Sequence, residues 1–407
     1  MRFRTGMAVI LAAICAAGQA QEGGTAMKDR ILTIDSHIDI PPNFATPASD
    51  PGRRGLDQVD LVKMEEGGLA AGFFIVYVGQ GPRTVEGYAR ARDAALTKFA
   101  AIHRMTDQLY PDRMGLALSA ADARRIHAQG RLIALIGIEN GYVIGRDLSL
   151  IERYYQLGAR YMTLAHIGHN DLADSAQAAP DESATLHGGL SELGRQAIAE
   201  MNRAGMLADI SHISRDAALQ AIAASRAPVI ASHSSVKGLY DHPRNLDDET
   251  MRALAAKGGV MQIVAFDSYL RKVSEEEAAA LKSLLTSLGM ESSIELSGKA
   301  LVIQERYAKE LHAIRTQWPR ANLETLGDHI DYAVRLLGID HVGIASDFGG
   351  GGGIDGWDSA GETHNVTALL KRRGYSNIDI EKIWGGNLLR VLEAAVKPAI
   401  LGQSSGD

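Results

Sequence analysis

Short apolar runs alternate with amphipathic stretches along the chain. Eight runs carry a strand pattern: Ile31–Asp39, Gly72–Val78, Leu132–Glu139, Arg160–His166, Met206–His212, Pro228–His233, Gly259–Phe266 and His341–Asp347. Between them, helical spacing appears in Leu148–Leu157, Leu190–Arg203, Arg215–Ala224 and Asp248–Ala256, with Ser214 placed to cap the third. Strands that alternate with helices build a parallel sheet from βα units. Eight such units predict an α/β fold, a (β/α)8 TIM-type barrel. An open doubly wound sheet would usually have fewer units and a glycine-rich phosphate turn, which this sequence does not show. The long connections Arg83–Gly130 and Leu270–Gly338 have room for extra helices; the second reads as an outer layer in preference to a lid over the mouth. The glycine run Gly349–Gly353 follows the last strand, where bare backbone either approaches a ligand or forms a flexible loop.

The N-terminus breaks the pattern. Arg2 and Arg4 precede an apolar stretch, Met7–Ala17, and a small-residue site ending at Ala20. This predicts a signal peptide over residues 1–20, cleaved after Ala20 and too short to anchor the protein in a membrane permanently. The expected organisation is then one barrel domain over residues 21–400 and a flexible tail over 401–407, in a periplasmic or secreted protein. The single cysteine, Cys15, falls inside the leader, so the mature chain relies on its core and on any bound metal in place of disulfides. At 407 residues and 46% hydrophobic, the chain has enough apolar material for one large core. Its formal net charge of -7, without basic clusters, argues against a nucleic-acid partner.

Six of the eight apolar runs end in His, Asp or Glu, at the strand ends where barrel enzymes place their active sites. Strand side chains alternate, so His37 and Asp39 project from one face and can reach a single ion. Glu139, His212 and His233 arrive from the ends of three further strands. Taken singly, each histidine is more often a hydrogen-bonded rim residue than a ligand. Crowded together, buried imidazoles and carboxylates need a compensating cation. A mixed N/O donor set without thiolate suits zinc, and also manganese or cobalt. Five ligands exceed the three of an ordinary catalytic zinc site, which predicts two Zn2+ per chain, roughly 3.5–4 Å apart, with Glu139 as the bridge. His341 begins the last strand, and His103, His127, His312, His329 and His364 fall in helical or loop stretches, so all six read as structural or exposed. His169, His187 and His242 lie in loops near the mouth, where a structural role is favoured over substrate contact.

The blocks His37-Ile38-Asp39, Gly137-Ile138-Glu139-Asn140, Arg160 to His166, Asp209-Ile210-Ser211-His212 and Ser225 to Ser235 resemble the membrane dipeptidase (renal dipeptidase) family in order and spacing. Arg244-Asn245, Ser346-Asp347-Phe348 and Gly386 to Val391 extend the resemblance over almost the whole mature chain. It implies a binuclear zinc dipeptidase that hydrolyses small dipeptides, some with a C-terminal D-residue, by a hydroxide bridging two ions. His37 and Asp39 would hold one zinc, His212 and His233 the other, and Glu139 both. The resemblance further implies that His166 binds substrate and stabilises the oxyanion, that Arg244 clamps the dipeptide's carboxylate beside Asn245, and that Asp347 moves protons. A homodimer is a further implication. Mammalian members have disulfides and a lipid-linked C-terminus; this sequence has neither a mature cysteine nor a hydrophobic tail, which fits an exported bacterial relative.

Rival readings keep the fold and change the chemistry. The same centre could act on a lactone, an N-acyl amino acid or a phosphoester, or the fold could serve as a silent periplasmic binding protein. Ser232-His233-Ser234 also prompts a weaker serine-nucleophile reading.

Overall fold

A computed structural model describes residues 31–290, 296 and 299–403. The leader read at residues 1–20 lies outside them. Nine strands form one parallel sheet: β1 (Ile34–Asp39), β2 (Ala71–Tyr77), β3 (Met114–Leu116), β4 (Leu132–Glu139), β5 (Ala159–Thr163), β6 (Leu207–Asp209), β7 (Ile230–Ser234), β8 (Val260–Val264) and β9 (Val342–Ala345). Eight of them, every one but β3, follow each other in the order β1-β2-β4-β5-β6-β7-β8-β9. The ring closes just beyond β9: the Asp39 amide donates to the Phe348 carbonyl at 2.8 Å, and the Asp347 amide to the His37 carbonyl at 3.1 Å. The fold is therefore a nearly closed (β/α)8 barrel, with each predicted apolar run overlapping one strand.

Burial explains why the runs read as continuous apolar sequence. Along β2 and β4, alternate residues Ala71, Phe73, Ile75, Ile133 and Leu135 join one cluster with Tyr161, Leu207, Ile230 and Val260, and the last helix adds Leu388 and Leu392. The intervening residues Phe74, Val76, Ala134, Ile136 and Ile138 face the helical layer in a second, larger cluster. Both faces of each strand are covered, as parallel sheets require. Helices form at Ser149–Gln156, Glu192–Ala204, Arg215–Ala224 and Asp248–Ala256, close to the predicted stretches. Ser191, Ser214 and Asp247 each accept a backbone amide from the first turn. The C-terminal helix runs Asn387–Gln403, so the tail boundary expected at residue 400 falls inside it.

The two long connections behave differently. Arg83–Gly130 holds the two expected helices, Val85–His103 and Ala120–Ala128, together with β3, which the pattern did not predict. At three residues, β3 is too short for alternation to register; it pairs with the start of β4 at Leu132, Ile133 and Ala134. In Leu270–Gly338, helices Glu275–Ser287 and Leu301–Gln317 share a small core of their own, in which Leu284 and Leu288 meet Tyr307 and Leu311. These two helices are no outer layer, whereas the segment's last helix, Leu323–Leu337, does pack on the barrel through Leu326, Ile330 and Ala333. Helix Leu301–Gln317 lines a cavity with Asp39, Phe348 and the glycine loop, at the strand ends.

Helix Leu323–Leu337 is tied to the barrel through His329. That side chain is 1% exposed, and its Nδ1 accepts the Val236 amide at 3.1 Å. Burial lowers its pKa from 6.5 to about 4, with the Leu270 backbone and Asp328 opposing. As pH falls from 6.5 towards 4, the unfolded chain gains a proton that the native imidazole refuses, so stability declines by up to about 1.4 kcal/mol per pH unit. Denaturant unfolding of His329→Gln is expected to show a shallower loss over that window than the parent chain. Equal slopes would show that His329 is not held neutral.

Candidate active site

Strand ends deliver the seven polar residues to one place. Glu139, 4% exposed, sits in the middle. Its Oε2 lies 3.4 Å from His37 Nε2, and its Oε1 lies 3.0 Å from His212 Nε2, 3.4 Å from His233 Nε2 and 3.6 Å from His166 Nε2. His37 Nε2 is also 3.5 Å from Asp39 Oδ2. Three overlapping groups emerge: His37, Glu139 and His233; Glu139, His166 and His212; and His37, Asp39 and Asp347. Sequence reasoning named all seven, five as ligands and His166 and Asp347 in substrate and proton-transfer roles.

The spacing fits a metal better than hydrogen bonds. An ion holding N and O donors at about 2.0–2.1 Å in a tetrahedron separates its ligands by roughly 3.3 Å. Most of the separations around Glu139 fall near that edge length and beyond good hydrogen-bonding range. His37 Nε2, His212 Nδ1 and Asp39 Oδ1 are buried without a hydrogen-bond partner. His212 Nε2 and His233 Nε2 face each other at 2.7 Å, which places a proton between them when no ion is bound. The donor set of imidazoles and carboxylates, with no thiolate, suits zinc.

Second partners aim the rings. The Tyr161 hydroxyl donates to the Ser36 carbonyl at 2.9 Å, so it accepts from His37 Nδ1 at 3.1 Å and leaves the Nε2 lone pair facing the cluster. The Ser232 hydroxyl donates to Asp209 Oδ2 at 2.6 Å and accepts from His233 Nδ1 at 2.8 Å, with the same result. Asp209 is itself fixed by the Ser211 and Ser232 amides and by Thr163. Sequence reasoning quoted Tyr161 and Asp209 within its blocks but gave them no role. Their signal was their place on strands beside the ligands. The serine-nucleophile reading loses its basis here, because Ser232 is fully buried behind His233 with its proton on Asp209.

Electrostatics point the same way. Burial and the nearby Arg244 charge hold His212 well below the ordinary imidazole range. Burial, then the His37 charge, does so for His233. Burial would lower His37 too, but Glu139 and Asp39 outweigh it and push it well above the usual value. Burial raises Asp347 far above the carboxylate range, reinforced by Asp39 and Glu139 and opposed by His37. Burial would raise Glu139 too, but the His37 and His166 charges outweigh it and hold this carboxyl well below the ordinary range.

Backbone conformation marks the same strand ends. Asn140, His212 and Asp347 have φ of 77°, 67° and 60°, a left-handed region that costs a non-glycine residue about 1–3 kcal/mol. The glycine loop is ordered by contact: Gly352 donates to the Asp347 carbonyl at 2.8 Å and Gly353 to that of Ala265 at 2.8 Å. A Cβ on Gly350 would lie 2.2 Å from Asp347 Oδ1 and 2.3 Å from Asp39 Oδ2, so no other residue fits against the two carboxylates.

Arg244 is 2% exposed and hence no surface ion pair. Its Nη2 donates to the His233 carbonyl at 3.0 Å, its guanidinium lies 5.3 Å from the centre of the Tyr269 ring, and its Nε has no partner. Among the described residues it makes no ion pair. Asn245 donates to the Tyr240 and Tyr269 carbonyls at 2.9 and 2.8 Å, which braces this loop. His166 is 17% exposed, and its Nδ1 lies 3.5 Å from Tyr77 Oη. The other loop histidines are structural: His169 accepts the Ser175 amide, His187 bonds the Asn170 carbonyl, and His242 accepts the Arg244 amide.

Comparisons with known proteins agree with this geometry. A family model described as membrane dipeptidase (peptidase family M19) matches residues 22–403. The chain is 33% identical over 341 residues to dipeptidase aclJ of Aspergillus oryzae, covering 82% of this chain and 69% of that one. Among solved structures, the probable dipeptidase PvdM of Pseudomonas aeruginosa is 35% identical with a TM-score of 0.80, covering 94% of this chain and all of that one. A metallopeptidase of Rhodobacter sphaeroides, liganded with a phosphinate mimic of the dipeptide L-Ala-D-Ala, shares the fold at 23% identity and a TM-score of 0.69, over 90% of this chain and 100% of its own. No helix among the described residues is long and apolar enough to cross a membrane. A match that spans nearly every described residue, on a barrel whose strand ends converge on a metal-ligand cluster, places this chain in the membrane dipeptidase family, peptidase family M19, as a metal-dependent dipeptidase.

Proposed function

We propose that the cluster holds two zinc ions and hydrolyses the amide bond of dipeptides. The observation that carries this reading is the position of Glu139, with one carboxylate oxygen towards His37 and the other towards His212 and His233. His37 and Asp39 would hold one ion and His212 and His233 the other, with Glu139 shared between them. Bound there, zinc supplies Lewis acidity, polarising the amide carbonyl and acidifying water.

The chain's own residues do the rest. Tyr77 Oη lies 3.5 Å from His166 Nδ1, at the edge of hydrogen-bonding reach. With Nε2 protonated, His166 would act as a donor to the developing oxyanion, where His37 and His233 would be ligands. Asp347, with its carboxyl biased towards protonation, takes a proton at a carboxylate oxygen and delivers it to the leaving amine. Arg244 is a buried cation in want of an anion, and its planar fork suits the substrate's terminal carboxylate. Asn245 acts through the loop it braces. The apolar stretch Met7–Ala17 supports export of the enzyme from the cytoplasm.

Elemental analysis of the purified protein is expected to find two zinc ions per chain. Hydrolysis of L,L and L,D dipeptides should vanish with a strong chelator and return with Zn2+, and activity persisting in the metal-free protein would overturn the assignment. Arg244→Ala is expected to raise KM for dipeptides about thirtyfold, equivalent to roughly 2 kcal/mol. An unchanged KM would remove the carboxylate clamp and favour a lactone or another substrate without that group. Ser232→Ala frees the His233 ring, and metal titration should show affinity lower by about 10–100-fold.

A further inference from the structure

The cavity beside Asp39 has a volume of about 440 Å³, within the range of small-molecule pockets. One wall is helix Leu301–Gln317, whose lining residues Gln304, Tyr307, Ala308, Leu311 and Arg315 recur every three or four positions and so share one face. The opposite wall is apolar, with Phe44, Phe74 and Phe348 among its residues. Arg315 lies 3.6 Å from Asp358, and Asp57 also lines the space, so the lining has no surplus positive charge for an acidic group.

Position across the mouth decides what this space can receive. Arg244 binds the His233 carbonyl, the His233 and His37 rings are 3.8 Å apart, and His37 leads to Asp39. A dipeptide with its carboxylate on Arg244 therefore directs its N-terminal residue towards Asp39. Beyond Asp39, the cavity edge is formed by Gly349, Gly351 and Gly352, which present backbone alone.

We propose that this cavity receives the side chain of the substrate's N-terminal residue and selects large apolar ones. The proposal rests on the dipeptidase reading and names its substrate class. Aromatic or long aliphatic residues displace water from the pocket, and small ones leave it wet.

The test compares zinc-loaded full-length protein on Ala-Gly, Leu-Gly, Phe-Gly and Trp-Gly. The parent enzyme is expected to favour the bulky members by about tenfold or more in kcat/KM. Ala308→Trp, which fills the cavity from an exposed helical position, should abolish that preference and leave Ala-Gly hydrolysis within about twofold. Gln304→Trp, from the same lining face, should act in the same direction and serves if the first variant does not fold. No size preference in the parent, or equal loss on all four substrates in a folded variant, overturns the proposal. Failure of the parent to cleave any dipeptide would instead sink the dipeptidase reading, and this proposal with it.

Discussion

The site is governed by buried carboxylates and imidazoles crowded together at the strand ends. Asp39, Glu139 and Asp347 are buried among His37, His166, His212 and His233, most of whose ligand atoms lie beyond good hydrogen-bonding range of one another yet within reach of one ion. An isolated buried ion costs several kcal/mol, and removing one partner from a buried set is more damaging still. A divalent metal at the centre would relieve that repulsion and give the unpartnered His37 Nε2 and Asp39 Oδ1 a ligand role. The same arrangement that is unfavourable when empty becomes a strong ligand set when filled.

The barrel tolerates such a centre because its rigidity is supplied elsewhere. Two apolar clusters, one along alternate strand positions and one beneath the helices, fix the strand ends before any polar contact is considered. On that frame, buried Tyr161, Ser232 and Asp209 hold the imidazoles in chosen orientations. Strain at Asn140, His212 and Asp347 is confined to the same rim, where it aims functional groups away from regular strand geometry. The glycine loop completes the arrangement by lying against two carboxylates where a side chain would clash.

The helices Glu275–Ser287 and Leu301–Gln317 stand apart from this economy. They share a core of their own and contribute to the barrel mainly as a wall beside Asp39. Such a unit can vary in sequence without disturbing the metal ligands, which separates specificity from chemistry within one chain.

The sequence alone determined the eight βα units, because strands covered on both faces must be apolar throughout and therefore announce themselves. It also determined the metal cluster, since polar residues ending such strands have few alternatives to a common centre. Its blocks resembled the right family. What it could not decide depended on contacts between distant segments. Strand β3 was too short to show a period, and the placement of the 270–338 connection followed from how two helices pack on each other. The tautomers at His37 and His233 hang on Tyr161 and Ser232, whose roles exist through three-dimensional neighbours. Periodicity reports how a residue relates to its own element, whereas orientation, cavity shape and proton position are set by what the fold brings opposite it.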